Sequence, residues 1–173
     1  MSLLDKIKKA GKEVADAMNG TPSLLREIKE KAAERKKTIV LCEGEDKRVV
    51  EAAAQITKEG IAKIVLIGNE EECKRVAPEV DLTGITLIDP LTSDKTAEYA
   101  KILYEARKAK GMTEEQSAEQ AKDRTMFGAL MLKAGDVDGY VSGACHSTAN
   151  TLRPGLQVVK TAPASRPYRV VSL

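Results

Sequence analysis

Residues 136–160 read DVDGYVSGACHSTANTLRPGLQVVK, and this stretch decides the fold. The run from Val137 to Val141 predicts a short strand, and three small residues, Ser142 to Ala144, bring it to an end. Ser147 and Thr148 are residue types that favour a helix N-terminus, and an apolar stripe follows after them. The stretch therefore predicts a strand, a turn of small residues and a helix.

This arrangement can bind an anion where the helix begins. The first backbone N–H groups of a helix have no partner within it, and the helix dipole adds partial positive charge there. Gly143 lets a ligand approach the backbone, and the hydroxyls of Ser147 and Thr148 can donate hydrogen bonds. Arg153 can form a fork on a phosphate or a carboxylate. The pattern alone fits an ordinary capped turn between strand and helix equally well.

Outward from this stretch, short apolar strands alternate with amphipathic helices. Such alternation predicts right-handed βαβ units, a mainly parallel sheet and helices on both of its faces, which is a three-layer αβα sandwich. Strands are predicted at Thr38–Leu41, Ile64–Ile67 and Thr86–Ile88; helices are predicted at Lys47–Lys58, Glu70–Val76 and Asp94–Lys110, and from a capping box at Thr113 to Gly135.

Polar residues follow the predicted strands at their carboxyl ends, where parallel sheets bind ligands. Glu43–Arg48, Gly68-Asn69 and Ser142–Arg153 all fall at such ends. The acidic residues of the first of these segments are a weak metal signal. We expect them to form ion pairs with Lys47, Arg48 or another arginine of the cleft.

Composition excludes several classes of protein. The 173 residues are 42% hydrophobic and 31% charged with a formal net charge of +2, which is typical of a soluble globular domain and not of a nucleic-acid or acidic-membrane binder. Aromatic residues make up only 3%, so base-stacking platforms are not expected. No apolar run reaches the length of a membrane span, and the first residues lack an apolar signal core. The predicted compartment is the cytoplasm.

The cysteines and the single histidine give little indication of a zinc site or of a catalytic thiol. Cys42, Cys73 and Cys145 are widely spaced and form no C-x-x-C pair, and with one histidine in the chain a zinc site of the usual Cys/His kind is not expected. Cys145 beside His146 suggests a nucleophile and a base. Neighbouring residues do not normally face each other, however, and the sequence shows no acidic partner for the histidine, so a thiol nucleophile is not favoured.

The stretch Ser142–Pro154 resembles the signature segment of the phosphate acetyltransferase (phosphotransacetylase) family, S-G-A-x-H-S-T/S-x-D-T-L-R-P, and Lys160-Thr161-Ala162 stand where that family has K-T-A. Asn150 replaces the usual Asp of the signature, and Cys145 replaces a small residue. The resemblance runs in order along nearly the whole chain and covers only the N-terminal half of the family. Further similar stretches are Leu41–Arg48, Ile61–Asn69 and Tyr104–Gly111.

The resemblance implies the sheet fold of phosphate acetyl- and butyryltransferases, which is similar to the isocitrate/isopropylmalate dehydrogenase fold. It implies reversible acetyl transfer between acetyl phosphate and coenzyme A, with coenzyme A as a substrate, no metal or redox cofactor in the chemical step, and a homodimer. The family's catalytic base lies in its C-terminal half, so the resemblance implies no catalytic residue here and little turnover by this chain alone. The substrate-binding residues that it implies are Arg153, Arg107, Ser147, Thr148, Ser142 and Gly143.

We expect three segments. Residues 1–36 hold two amphipathic helices, residues 37–162 form the α/β domain, and residues 163–173 begin a next segment that is cut short. Two alternatives stay open. The chain is a non-catalytic scaffolding form whose N-terminal helices dock a partner, or it serves a phosphate acyltransferase for a longer acyl group.

Overall fold

The computed structural model describes residues 23–160. The strands are β1 (Thr38–Leu41), β2 (Lys63–Ile67), β3 (Thr86–Ile88) and β4 (Gly139–Val141). The helices are α1 (Ser23–Arg35), α2 (Lys47–Glu59), α3 (Glu70–Val76), α4 (Thr96–Arg107), α5 (Glu114–Gln120), α6 (Arg124–Ala134) and α7 (Thr148–Pro154), with a 3-10 turn at Lys108–Lys110 and a π-helical turn at Gly155–Val159.

The four strands form one parallel sheet in the order β3-β2-β1-β4. β1 pairs with β2 on one side and with β4 on the other, and its Val40 lies opposite Val65 of β2 and Tyr140 of β4. Helical connections between parallel neighbours are what the alternating sequence pattern predicts, so the predicted parallel α/β fold is confirmed. The carboxyl ends of β1 and β4 lie side by side as a result.

Alternate residues of the strands face two separate cores. Val40, Cys42, Val65 and Ile67 pack against α4 and α6, whose Tyr99 and Phe127 rings meet edge to face at 4.8 Å between centroids. The opposite sheet face, with Leu41, Ile64 and Leu66, packs against α2 and α3. Helices therefore cover both faces, and the sandwich has the three predicted layers.

The structure locates one of the two predicted N-terminal helices. The second of the two helices predicted within residues 1–36 is α1. The first of them and the segment 163–173 lie outside the described residues, and so does the boundary at residue 162. Because of this, the predicted three-segment division stays a prediction.

The single helix predicted from Thr113 to Gly135 is wrong. Two helices, α5 and α6, stand there, because Asp123 accepts a hydrogen bond from the N–H of Met126 at 2.9 Å and so caps a new helix. The capping box of Thr113 and Gln116 is confirmed. The predicted helix Asp94–Lys110 is also shorter, because it begins at Thr96 and tightens into the 3-10 turn after Arg107.

A close approach of two backbones holds the carboxyl ends of β1 and β2 together. The N–H of Gly44 donates to the carbonyl of Ile67 at 3.1 Å, and a Cβ at position 44 would lie only 2.6 Å from that oxygen. Only glycine fits this position without displacing backbone. Within residues 23–160, no helix is long and apolar enough to cross a membrane.

Candidate functional site

The loop after β4 is held by a carboxylate that comes from the end of β1. Glu43 is buried, with 1% of its surface exposed. Its Oε2 accepts hydrogen bonds from the N–H groups of Gly143 at 2.9 Å and Ala144 at 2.8 Å, and its Oε1 accepts from that of Cys145 at 3.0 Å. Gly143 has φ +116, a conformation that favours glycine and turns successive N–H groups toward one anion.

The loop therefore is an anion site whose anion belongs to the protein. Burial alone would raise the pKa of Glu43, but hydrogen bonds from His146 and from the N–H groups of Ala144, Cys145 and Gly143 outweigh it and lower the pKa to about 2. Glu43 is thus ionised at neutral pH. Gly143 is predicted to let a ligand approach the backbone, and in the structure its N–H is already bound by the buried carboxylate. Substrate binding at Gly143 stays a prediction.

Cys145 and His146 meet the same carboxylate. The Nδ1 atom of His146 lies 2.8 Å from Oε1 of Glu43 and 3.6 Å from Sγ of Cys145. The expectation that the histidine has no acidic partner and does not face its neighbour is wrong, because the turn folds both side chains onto Glu43. Burial and the carboxylates of Glu45 and Glu43 raise the pKa of Cys145 to about 12, so its thiol stays protonated and is a weak nucleophile.

The other acidic residues after β1 pair with arginines, as predicted. Asp46 caps α2 and binds Arg48 at 2.6 Å. Glu45 pairs with Arg124, which also binds Glu72 at 2.5 Å. Glu43 differs from both in taking backbone N–H groups and His146 as its partners.

Two of these cations connect distant segments. Arg48 donates to the carbonyl of Ala144 at 2.8 Å, which ties α2 to the loop after β4. Arg124 joins the loop after β1 to α3 through Glu45 and Glu72. The carboxyl ends of three strands therefore share one polar network.

The predicted hydroxyl residues lie at the start of α7. Ser147 is its N-cap and accepts a hydrogen bond from the N–H of Asn150 at 3.3 Å. Thr148 is the first helical residue and is exposed. Ser142 is half-buried, and its Oγ has no hydrogen-bond partner within residues 23–160. Capping by Ser147 is therefore established, whereas substrate binding by all three hydroxyls stays a prediction.

The guanidinium groups of the two predicted arginines have no hydrogen-bond or ion-pair partner within residues 23–160. Arg153 lies in the last turn of α7 and is exposed. Arg107 ends α4 and is half-buried, and its Nε is buried without a hydrogen-bond partner. Among the described residues, no hydrogen bond or ion pair engages either side chain. Substrate binding by Arg153 and Arg107 therefore stays a prediction.

A groove of about 1420 Å³ runs between α1, α2 and the loop after β4. Ser142, Gly143 and Thr148 line it together with Arg48 and His146. Arg153, Arg107 and Ser147 are not among its lining residues within 23–160. The structure thus brings three of the six predicted site residues to one cavity. Exposed apolar side chains, Val141 and Leu152 among them, border the same groove.

Sequence reasoning missed the residues that organise this site. Glu43 was expected to pair with Lys47, Arg48 or another arginine, and Arg124, which lies between two carboxylates, was not singled out. The available signal was the position of these residues in the sequence, since Glu43 lies two residues after the end of β1 and the loop directly follows β4. Adjacent parallel strands bring such positions together.

The fold and this site define a three-layer α/β protein whose polar site lies at the carboxyl ends of a parallel sheet. The sequence profile of the family described as phosphate acetyl/butaryl transferase matches residues 23–172. The phosphate acetyltransferase of Acetivibrio thermocellus is 53% identical over 144 residues, which cover 83% of this chain and 43% of that protein. The phosphate acetyltransferase of Thermoanaerobacterium thermosaccharolyticum is 48% identical over 144 residues, covering 83% and 44%.

Solved structures agree with the sequence relatives. The EutD phosphotransacetylase from Staphylococcus aureus superimposes with a TM-score of 0.75 at 41% identity, and a phosphotransacetylase from Streptococcus pyogenes with a TM-score of 0.77 at 37% identity. Each match covers 83% of this chain and 44% of the other. The chain belongs to the phosphate acetyl/butaryl transferase family, and it spans less than half the length of the relatives that it matches.

Proposed function

We propose that this chain provides the N-terminal, anion-binding part of a phosphate acetyltransferase. The reaction is the reversible transfer of an acetyl group between acetyl phosphate and coenzyme A. The thiolate of coenzyme A attacks the acetyl carbonyl, the C–O bond to phosphate breaks, and inorganic phosphate leaves. Family membership supports the reaction class, and the relatives, which are phosphate acetyltransferases, favour acetyl over a longer acyl group.

The observation that carries the proposal is a pair of arginines, Arg107 and Arg153, whose side chains have no partner among residues 23–160. A guanidinium left unpaired and partly buried costs free energy unless an anion pairs with it. Arg107 has such a buried Nε, and Arg153 offers all its donors from the end of α7. In the proposed role, both bind phosphate groups of acetyl phosphate or coenzyme A. Bidentate hydrogen bonds then stabilise the negative charge that grows on the leaving phosphate.

The loop after β4 positions the groups around these phosphates. Glu43 fixes the loop backbone, so Ser142, Ser147 and Thr148 start from defined places rather than from a mobile turn. Their hydroxyls are proposed to donate to the phosphate or to the acyl oxygen. Gly143 contributes to the loop through its left-handed backbone conformation and not through a side chain.

No described residue is assigned as the base that deprotonates the thiol of coenzyme A. We propose that this base comes from the C-terminal portion of the family fold, which this chain does not span. The chain alone then binds substrate anions with little or no turnover. A metal or redox cofactor takes no part in the proposed transfer step, and coenzyme A is a substrate.

The groove beside the loop is proposed to receive that C-terminal portion. Val141 is 55% exposed and Leu152 38%, and both line the groove. The relatives carry more than half of their length beyond the matched region, which is enough chain to cover such a surface. When that portion does not cover them, the same apolar residues favour self-association of this chain. We propose that any homodimer forms through these residues.

A thioester assay tests the proposed function. Acetyl phosphate and coenzyme A are incubated with this chain alone, and then with the C-terminal portion of a close relative supplied as a separate polypeptide. The proposal predicts no thioester from the chain alone and thioester formation from the mixture. Substituting Arg153→Ala should abolish the activity of the mixture, whereas Arg75→Ala, an exposed arginine of α3, should not. Robust turnover by the chain alone would contradict the proposal.

A further inference from the structure

The loop after β4 brings together three different metal-binding side chains. Glu43, Cys145 and His146 each direct a donor atom to one point, and these atoms lie within 4.8 Å of one another. The sequence analysis predicts no metal site, because the chain has a single histidine and no paired cysteines. Folding supplies the third donor from a position 102 residues before Cys145.

The distances between the donors suit a small tetrahedral ion. Bonds of about 2.0 Å to nitrogen and oxygen and about 2.3 Å to sulfur place the donors of a tetrahedral zinc ion about 3.3–3.6 Å apart. Sγ of Cys145 lies 3.6 Å from Nδ1 of His146 and 3.6 Å from Oε1 of Glu43. Nδ1 and Oε1 lie closer, at the hydrogen-bond distance of 2.8 Å. An ion bound between them needs the two atoms to separate by about half an ångström.

The surroundings hold the donors in place. Backbone N–H groups of Gly143 and Ala144 bind Oε2 of Glu43, and those of Cys145 and His146 bind Oε1, the oxygen that faces the imidazole. Such outer hydrogen bonds orient a metal ligand. A second carboxylate oxygen, Oε1 of Glu45, lies 3.7 Å from Sγ of Cys145 and adds negative charge beside the site. Arg124 holds the other oxygen of Glu45.

The site is open to solvent on one side. Cys145 is exposed, and His146 lines the groove. A soft thiol combined with an imidazole and a carboxylate selects zinc-class ions over magnesium or calcium, which prefer oxygen donors alone. Three protein ligands with one position left for water is the usual arrangement of an accessible zinc site.

We propose that Glu43, Cys145 and His146 form a binding site for one thiophilic divalent metal ion of the zinc class. On binding, the sulfur of Cys145 gives its proton to solvent and forms a bond to the metal. The imidazole of His146 binds the metal through Nδ1 and carries its proton on Nε2. The ion joins β1 to the turn between β4 and α7, and thereby fixes the signature loop. This site is separate from the acetyl transfer proposed above and needs neither substrate.

Cobalt(II) is the probe, because a thiolate bound to cobalt absorbs in the near ultraviolet and tetrahedral cobalt absorbs in the visible. The reduced, chelator-treated chain is titrated with cobalt chloride, without acetyl phosphate or coenzyme A. The proposal predicts both absorptions with saturation at one equivalent. Zinc chloride should then displace the cobalt and remove both.

Variants separate the cluster from adventitious binding. Cys145→Ser should abolish the near-ultraviolet absorption, and His146→Gln should weaken cobalt binding by about tenfold or more, since even outer partners of a metal site contribute that much. Cys73→Ala is the matched control, because Cys73 is a buried thiol outside the cluster, and it should leave the titration unchanged. Far-ultraviolet circular dichroism checks that each variant is folded.

Three results would overturn the site. One is the absence of a thiolate–cobalt absorption from the folded native chain. Another is an absorption that survives in folded Cys145→Ser. The third is weak binding that does not saturate at one equivalent, which shows an adventitious ion only. Each is independent of thioester formation, so failure here and failure of the proposed function are distinguishable.

Discussion

Oε2 of Glu43 accepts the backbone N–H of Gly143 at 2.9 Å, although 100 residues separate the two. The contact joins the carboxyl ends of two neighbouring strands and places the signature loop on a buried negative charge. The carboxylate also binds the N–H groups of Ala144 and Cys145, so a residue that follows β1 restrains the backbone of the loop. The shape of the candidate site therefore depends on a residue outside its own segment.

Glu43→Gln should destabilise the fold by about 2–3 kcal/mol, because an amide presents a donor where backbone N–H groups need acceptors, and buried unpaired groups cost that much. Urea unfolding measures the loss. Glu51→Gln is the matched control, since Glu51 is an exposed residue of α2 paired with Lys47 at 3.7 Å, and it should change stability by less than about 0.5 kcal/mol. Equal effects of the two substitutions would show that Glu43 does not hold the loop.

The same carboxylate should make stability depend on acid pH. Folding lowers the pKa of Glu43 from an ordinary 4.5 to about 2, so its contribution is fully present above pH 4.5 and is lost as pH falls toward 2. The contribution is at most about 3 kcal/mol. The stability difference between the native chain and Glu43→Gln should therefore shrink as pH falls from 4.5 to 2, as denaturation at several pH values would show. A constant difference over that range would contradict the assigned cause.

Arg124→Met should destabilise the chain by about 1–3 kcal/mol, because it leaves Glu45 and Glu72, both largely buried, facing each other without a cation. Thermal unfolding at neutral pH measures the change. Arg75→Met is the comparison, since Arg75 contacts Glu72 only at 3.7 Å from a side chain that is 74% exposed. Equal losses of stability in the two variants would show that the bridge made by Arg124 contributes no more than an exposed ion pair.

Gly44→Ala should cost about 1–3 kcal/mol, because its Cβ would lie 2.6 Å from the backbone oxygen of Ile67, which cannot move without shifting β2. Gly155→Ala offers a matched control, since a Cβ there meets nothing within 4 Å and its φ of −57 suits any residue. Guanidinium unfolding of both variants compares them. A stable Gly44→Ala protein would disprove the close approach of the two strand ends.

The sequence predicted the elements whose limits are set locally. β1, α3 and β3 begin and end where predicted, because apolar runs are bounded there by Gly, Pro, Asn or acidic residues. The break between α5 and α6 was missed, because Lys122 and Asp123 also suit the solvent face of a continuous helix. The distinction depends on the cap that Asp123 forms only once the chain turns.

The turn was predicted, but the partner of its backbone was not. The signature segment was found as a turn before a helix, and Ser147 caps that helix. Local pattern cannot show that Glu43 arrives from a neighbouring strand and accepts hydrogen bonds from the N–H groups of the turn. The contact of Cys145 with His146 was rejected by a rule for regular elements, and these residues lie in an irregular turn.

Calorimetric titration of coenzyme A into the native chain and into Arg153→Ala tests the central claim most directly. The account predicts measurable binding by the native chain and binding about 10- to 100-fold weaker in the variant, since a charge-assisted hydrogen bond contributes about 1.5–3 kcal/mol. Arg75→Ala should bind like the native chain. Equal affinity of the native chain and Arg153→Ala, or no binding by the folded native chain, would contradict the proposed role of this half of the family fold.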